Sequence, residues 1–107
     1  MRGVLTAEIK EASMRLLRYV ISEDELRLMP YIQHIVMNSK RLDESKLNNV
    51  ELGVFDKWRD KRFLCFSEHE QYVIELDMSF WIAIGEIVWL SYLKPPSMLG
   101  NVNYDLV

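Results

Sequence analysis

The sequence predicts an α+β fold that is mainly α, and three observations carry that expectation. Apolar residues recur at helical spacing from Leu5 to Trp58, interrupted by recognisable helix starts. Between Arg62 and Leu76 the period drops toward two, in the runs "RFLCFS" and "QYVIEL". Beyond them comes "DMSFWIAIGEIVWLSYLKPP", where only Gly85, Glu86 and Ser91 break an apolar run from Phe80 to Leu93. The expected architecture is a three-helix core with a β-hairpin, preceded by an N-terminal helix and followed by a long apolar helix. In numbers, 1–21 is the N-terminal helix, 22–76 the core, 77–94 the buried C-terminal helix and 95–107 a tail.

At 107 residues the chain reads as one domain, long enough to bury a core without metal or disulfide staples. Half of its residues are hydrophobic and 27% are charged, a globular balance. The formal charge of −3 speaks against a surface wholly devoted to nucleic acid or anionic lipid. Cys65 is the single cysteine, so no internal disulfide is possible. The N-terminus becomes charged before an apolar signal segment can form, and a cytoplasmic location is expected.

The first helix is expected to start at Thr6, whose hydroxyl can cap the free N–H groups of the first turn. Leu5, Ile9, Ala12, Leu16, Tyr19 and Val20 then share one face, which leaves Met14 and Leu17 near water. Glu11 and Arg15 form a well-oriented i,i+4 pair. The second helix has the clearest start. Ser22-x-x-Glu25 reads as a capping box, with Ile21 and Leu26 as the flanking staple. Glu23 and Asp24 sit beside Glu25 where the helix dipole favours anions, so capping explains this acidic cluster better than catalysis does. Pro30 implies either a kink or a break with a new helix beginning at Pro30.

After the "NSK" stop, Asp43 is expected to cap the next segment, with Leu42 and Leu47 as its staple. Leu47, Val50, Val54 and Trp58 continue at helical spacing beside Phe55. A turn near Asn49–Gly53, or a bend, divides this segment. The hairpin follows, its turn at Glu68-His69-Glu70, with Tyr72, Ile74 and Leu76 facing inward. The core is therefore expected to centre on Trp58, with Leu47, Val50, Val54, Phe55, Tyr72, Ile74 and Leu76 around it. Asp77 caps the last helix, and Lys94-Pro95-Pro96 stops it.

What such an apolar helix buries itself against is the main functional question. A spanning helix needs about 20 consecutive apolar residues. Asp77, Glu86 and Lys94 bound and interrupt this run, so no membrane partner is expected. On a helical wheel, Phe80, Ile84, Ile87, Val88 and Ser91 form one face, and Ile82, Trp89 and Leu93 form the opposite one around Glu86. One face suffices for the core of a small domain. The other needs a cover, either the N-terminal helix, the tail or a second chain.

From Leu26 to Leu76 the order is helix, short extended bridge at Arg41-Leu42, helix, turn, helix and β-hairpin. In this order of elements the chain resembles a winged helix-turn-helix domain. The resemblance implies a winged-helix-like three-helix core, with "VFDKWRDKR" (54–62) as recognition helix and Glu68-His69-Glu70 as wing tip. It also implies possible nucleic-acid contacts at Lys57, Arg59, Lys61 and Arg62. The chain is similar as well, in general character rather than in any one residue, to small accessory proteins of phages and prophages. The charges oppose DNA binding. Asp56 and Asp60 point outward with Arg59 beside them, and Glu68 and Glu70 stand at the wing tip, where phosphate would be repelled.

No catalytic signature is present. His34, His69 and Cys65 lack metal-ligand spacing, and Cys65 reads as a small buried hydrophobe. The glycines are scattered, and no nucleophile elbow occurs. The expected function is therefore a non-catalytic intracellular interaction or regulatory module without cofactor or metal. It would bind itself or another protein through Ile82, Trp89 and Leu93, a homodimer being the first expectation. The alternative is a DNA-binding transcriptional regulator of the winged-helix class.

Overall fold

The computed structural model describes residues 4–93. Each of its four α-helices starts on a side chain that accepts a hydrogen bond from a backbone N–H left free in the first turn. Thr6 Oγ1 accepts from Ile9 N–H at 3.2 Å and opens α1, Ala7–Leu17. Ser22 Oγ accepts from Glu25 N–H at 3.1 Å and opens α2, Glu23–Met37. Asn48 Oδ1 accepts from Glu51 N–H at 2.8 Å and opens α3, Asn49–Asp60. Asp77 Oδ2 accepts from Ser79 N–H at 3.0 Å and opens α4, Met78–Val88, which continues as a π-helical segment, Trp89–Leu93. A short 3₁₀ turn, Glu44–Lys46, capped by Asp43, lies between α2 and α3.

The helices end by local geometry. Arg18 takes a left-handed conformation (φ 71°), and its N–H donates to Met14 O at 3.0 Å, which closes the last turn of α1. Arg62 does the same work after α3. With φ 64° it turns the chain toward β1, and Phe63 N–H reaches back to Trp58 O at 3.0 Å. Strands β1 (Leu64–Phe66) and β2 (Ile74–Leu76) pair antiparallel, with Leu64 opposite Leu76 and Phe66 opposite Ile74.

The core lies where α4 packs across α1 and α2, with α3 closing on α2. Aromatic rings form its centre. Trp58 meets Phe80 edge-on at 5.1 Å between centroids, and Phe63 stacks on Phe80 at 4.7 Å. Trp58, Phe55, Phe80, Ile84 and Ile87 are essentially fully buried. The protein is thus α+β and mainly helical, with one two-stranded hairpin among the described residues.

Several expectations need correction. Val50 is 54% exposed and does not join the core, because the turn of α3 directs it away from Trp58. Tyr72 is also exposed. It lies outside the short ladder, at φ 64°, where the chain turns into β2. Leu17 is buried and Val20 exposed, so the inner face of α1 is rotated slightly from Tyr19–Val20 toward Ser13–Leu17. Arg15 bonds Glu86 of α4 rather than Glu11. No break occurs at Pro30, since α2 is one helix to Met37. The segment after Asp43, expected as two helices or one bent helix, is a three-residue 3₁₀ turn followed by α3 with Gly53 inside it, so 22–76 holds two α-helices rather than the expected three. Cys65 is exposed, because Leu64 takes the inward position of β1 and strand alternation turns its neighbour out. The Lys94-Pro95-Pro96 stop and the 95–107 tail lie outside the described residues.

Candidate interaction face

Glu25 shows how this fold treats a charge it buries. The residue is 1% exposed and belongs to the α2 capping box, where Oε1 accepts from Ser22 N–H at 2.9 Å. Its Oε2 accepts from Trp58 Nε1 at 3.0 Å and from the Tyr19 hydroxyl. Lys57 Nζ stands 3.4 Å from Oε1. Burial by itself would raise the Glu25 pKa. The donors Tyr19, Ser22 and Trp58, with the Lys57 ammonium, outweigh burial and hold the carboxyl below its ordinary value. Burial, and then the Glu25 hydrogen bond and charge, push the Tyr19 phenol well above its usual range. The carboxylate therefore ties the α1–α2 connection to α3. Capping predicted the Ser22 half of this arrangement. The Trp58 and Tyr19 half had one sequence signal, since buried indole and phenol groups need polar partners.

The basic residues of the α3 segment also face inward partners. Lys57 and Lys61 lie over the Tyr19 ring, with Nζ 4.7 and 4.5 Å from its centroid. Arg59 covers Phe66 at 5.0 Å and stands 4.0 Å from Asp56. Arg62 supplies the left-handed turn and lines a recess of about 420 Å³ with Arg59, Cys65, Glu75 and Asp77, a lining of both charge signs. His34 is exposed near the end of α2, with Nδ1 3.3 Å from Asn38 Nδ2 and Nε2 3.5 Å from Lys40 Nζ. No group of three His, Cys, Asp or Glu side chains suited to a metal ion occurs among the described residues.

The outer face of α4 is built the opposite way. Phe80, Ala83, Ile84, Ile87, Val88 and Ser91 are its buried side, matching the predicted inner face with Ala83 added. Met78, Ile82, Trp89 and Leu93 are 68%, 56%, 47% and 63% exposed on the other side. Their spacing is helical, and together they form a stripe about 22 Å long at 1.5 Å rise per residue. The exposed parts of these side chains amount to on the order of 500 Å², within the range of the largest apolar patch on a typical monomer and often functional. Helix α1 packs on α4 without covering the stripe. It does neutralise the one charge there, since the Arg15 guanidinium bonds the Glu86 carboxylate.

Two members of this face were not anticipated. Met78 stands one turn before Ile82, a spacing the sequence displays. Gly85 sits between Ile82 and Trp89, and a Cβ placed on it would meet nothing within 4 Å. The stripe thus has a shallow waist at its midpoint. Among the described residues no helix is long and apolar enough to cross a membrane. Comparison with models of known protein families, with characterised proteins and with solved structures finds no match to this chain.

Proposed function

We propose that the protein is a non-catalytic intracellular interaction or regulatory module that works through protein–protein contact at the outer face of α4. The single observation that carries this reading is the exposed stripe of Met78, Ile82, Trp89 and Leu93 on a helix whose other side forms the core. A patch of this size is as large as the largest on a typical monomer, and such patches are often interaction sites. Arg15 pairs the stripe's one carboxylate, Glu86, so the midpoint of the stripe carries an exposed ion pair with no net charge. Light scattering and solubility measured on wild type and Trp89→Glu test the proposal. The expected outcome is loss of association, or a rise in solubility, with the fold intact by circular dichroism. A monomer whose solubility is unchanged by Trp89→Glu contradicts it.

One observation favours a second reading, a DNA-binding regulator of the winged-helix class. Leu42 N–H donates to Tyr72 O at 2.7 Å, which ties the bridge after α2 to the second arm of the hairpin. A bridge tied to the hairpin fits that reading, although residues 22–76 hold two α-helices and a three-residue 3₁₀ turn rather than three helices. The electrostatics speak against it. Lys57, Lys61 and Arg59 lie against Glu25, Tyr19, Phe66 and Asp56 while staying exposed, and Asp56, Asp60, Glu68 and Glu70 expose negative charges beside them. The predicted result of a DNA shift assay is weak binding at low salt that disappears as salt rises. A nanomolar complex with one sequence at about 150 mM salt, more than a thousandfold tighter than with random DNA, would establish the second reading instead.

A further inference from the structure

The outer face of α4 is numerically self-complementary. Its apolar members fall in pairs about a midpoint between Gly85 and Glu86: Ile82 and Trp89 each lie about three and a half residues from it, and Met78 and Leu93 each about seven and a half. Turning a second α4 end for end across this face therefore sets Ile82 against Trp89 and Met78 against Leu93. The large ring of Trp89 then extends toward the waist at Gly85 of the other copy, where nothing lies within 4 Å of a Cβ position. A parallel arrangement would instead set Trp89 on Trp89 and Gly85 on Gly85, bulk against bulk and gap against gap.

Charge follows the same symmetry. The midpoint of each face carries one carboxylate, Glu86, and one guanidinium, Arg15, already bonded to each other and still partly exposed. A two-fold axis through that point sets the two bonded pairs side by side, each Glu86 nearest the Glu86 of the other copy and each neutralised by its own Arg15. Two stripes covered completely would remove on the order of 1,000 Å² from water, the size at which specific interfaces begin.

We infer that the occupant of this face is a second copy of the chain, paired antiparallel through α4 on a two-fold axis at Gly85–Glu86. This rests on the reading of α4 as a contact surface and adds the identity and orientation of the partner. Isologous contacts of this kind close at two subunits.

Disulfide trapping in the full chain tests it. Cys65, the only native cysteine and an exposed one, is first replaced by serine. Met78→Cys and Leu93→Cys are then made separately in that background, both at exposed positions that leave Ile82 and Trp89 in place. Under mild oxidation the mixture should give a disulfide between the two variants, and neither variant alone should crosslink. In an antiparallel pair the same position of the two copies falls at opposite ends, about 22 Å apart, far beyond the roughly 7 Å Cα separation that a disulfide spans. The native mass should be twice 12.7 kDa. A dimer in which Met78→Cys links to itself, or in which the mixture does not link, overturns the antiparallel pairing and leaves the contact-surface reading standing. A monomer at high micromolar concentration overturns the pairing outright. If Trp89→Glu also leaves solubility unchanged, the contact-surface reading falls with it.

Discussion

Glu25 and the outer face of α4 depart from the usual partition of polar and apolar groups in opposite directions. Glu25 is a carboxylate placed inside, and four groups of the same chain, Ser22, Tyr19, Trp58 and Lys57, meet its two oxygens. Met78, Ile82, Trp89 and Leu93 are apolar groups placed outside, and the described residues leave them about half or more exposed. The difference separates structure from function. A buried charge satisfied within its own chain is explained by the fold and asks for nothing further. The apolar stripe along α4 meets no such set of groups among the described residues, and the proposed reading is that another chain supplies the contact.

The comparison breaks most easily at Trp58, which belongs to the buried side and donates to Glu25. Trp58→Ala should cost about 3–5 kcal/mol, as other large-to-small aromatic core changes do, enough to unfold a marginal domain. A urea titration reads it directly, and a melting temperature within a degree or two of wild type would place the core elsewhere. Glu25→Ala removes the acceptor and strands the Tyr19 hydroxyl, the Trp58 N–H and the Ser22 N–H. The expected cost is about 2–4 kcal/mol. A change of a few tenths of a kcal/mol would show that Glu25 is not the tie between α2 and α3.

Acid sharpens the same point. The Glu25 carboxyl is held below its ordinary value in the folded chain, so the folded state favours the charged form. Its contribution to stability is present above the unfolded carboxyl pKa and is lost as pH falls through the lower, folded one. Wild type should therefore lose stability on acidification below the ordinary carboxylate range. Glu25→Gln should show a shallower acid limb, measured by urea midpoints across the series.

The smallest expected effect compares two glycines on two helices. Neither Gly53 of α3 nor Gly85 of α4 has anything within 4 Å of a Cβ position. Alanine at either site should stabilise its helix by about 0.5–1 kcal/mol. They part company in association. Gly85→Ala adds a methyl group at the midpoint of the outer face of α4, and under the proposed pairing it should weaken self-association, whereas Gly53→Ala should leave it unchanged. Equal association for both variants would remove the waist from the account.

What the sequence made legible was local. Thr6, Ser22 and Asp77 announce helix starts at fixed offsets from the N–H groups they cap, and the structure has all three. The second capping box, Asn48 with Glu51, was hidden by Asn49 and Gly53, which read as turn chemistry although both lie within α3. Alternation points Tyr72 inward, but it holds only for the three residues of β2. Residue type points Cys65 inward, against the alternation that Leu64 imposes. The bond between Glu25 and Trp58 spans 33 residues and exists only once α2 and α3 have packed, so no local pattern encodes it. On α4 the periodicity separated inner from outer residues well, because a helix wheel is fixed by covalent geometry.

Burial of the Trp89 ring is the most direct test that the outer face of α4 is a contact surface for a second copy. Trp81→Phe removes the half-buried indole and leaves Trp58, fully buried, and Trp89, half exposed, as the fluorescent residues. Acrylamide quenching is then followed over a dilution series. The account predicts a shielded Trp89 at high micromolar concentration that becomes quenchable on dilution, while Trp58 stays inaccessible throughout. Quenching independent of concentration, whether Trp89 is always exposed or always shielded, would contradict it.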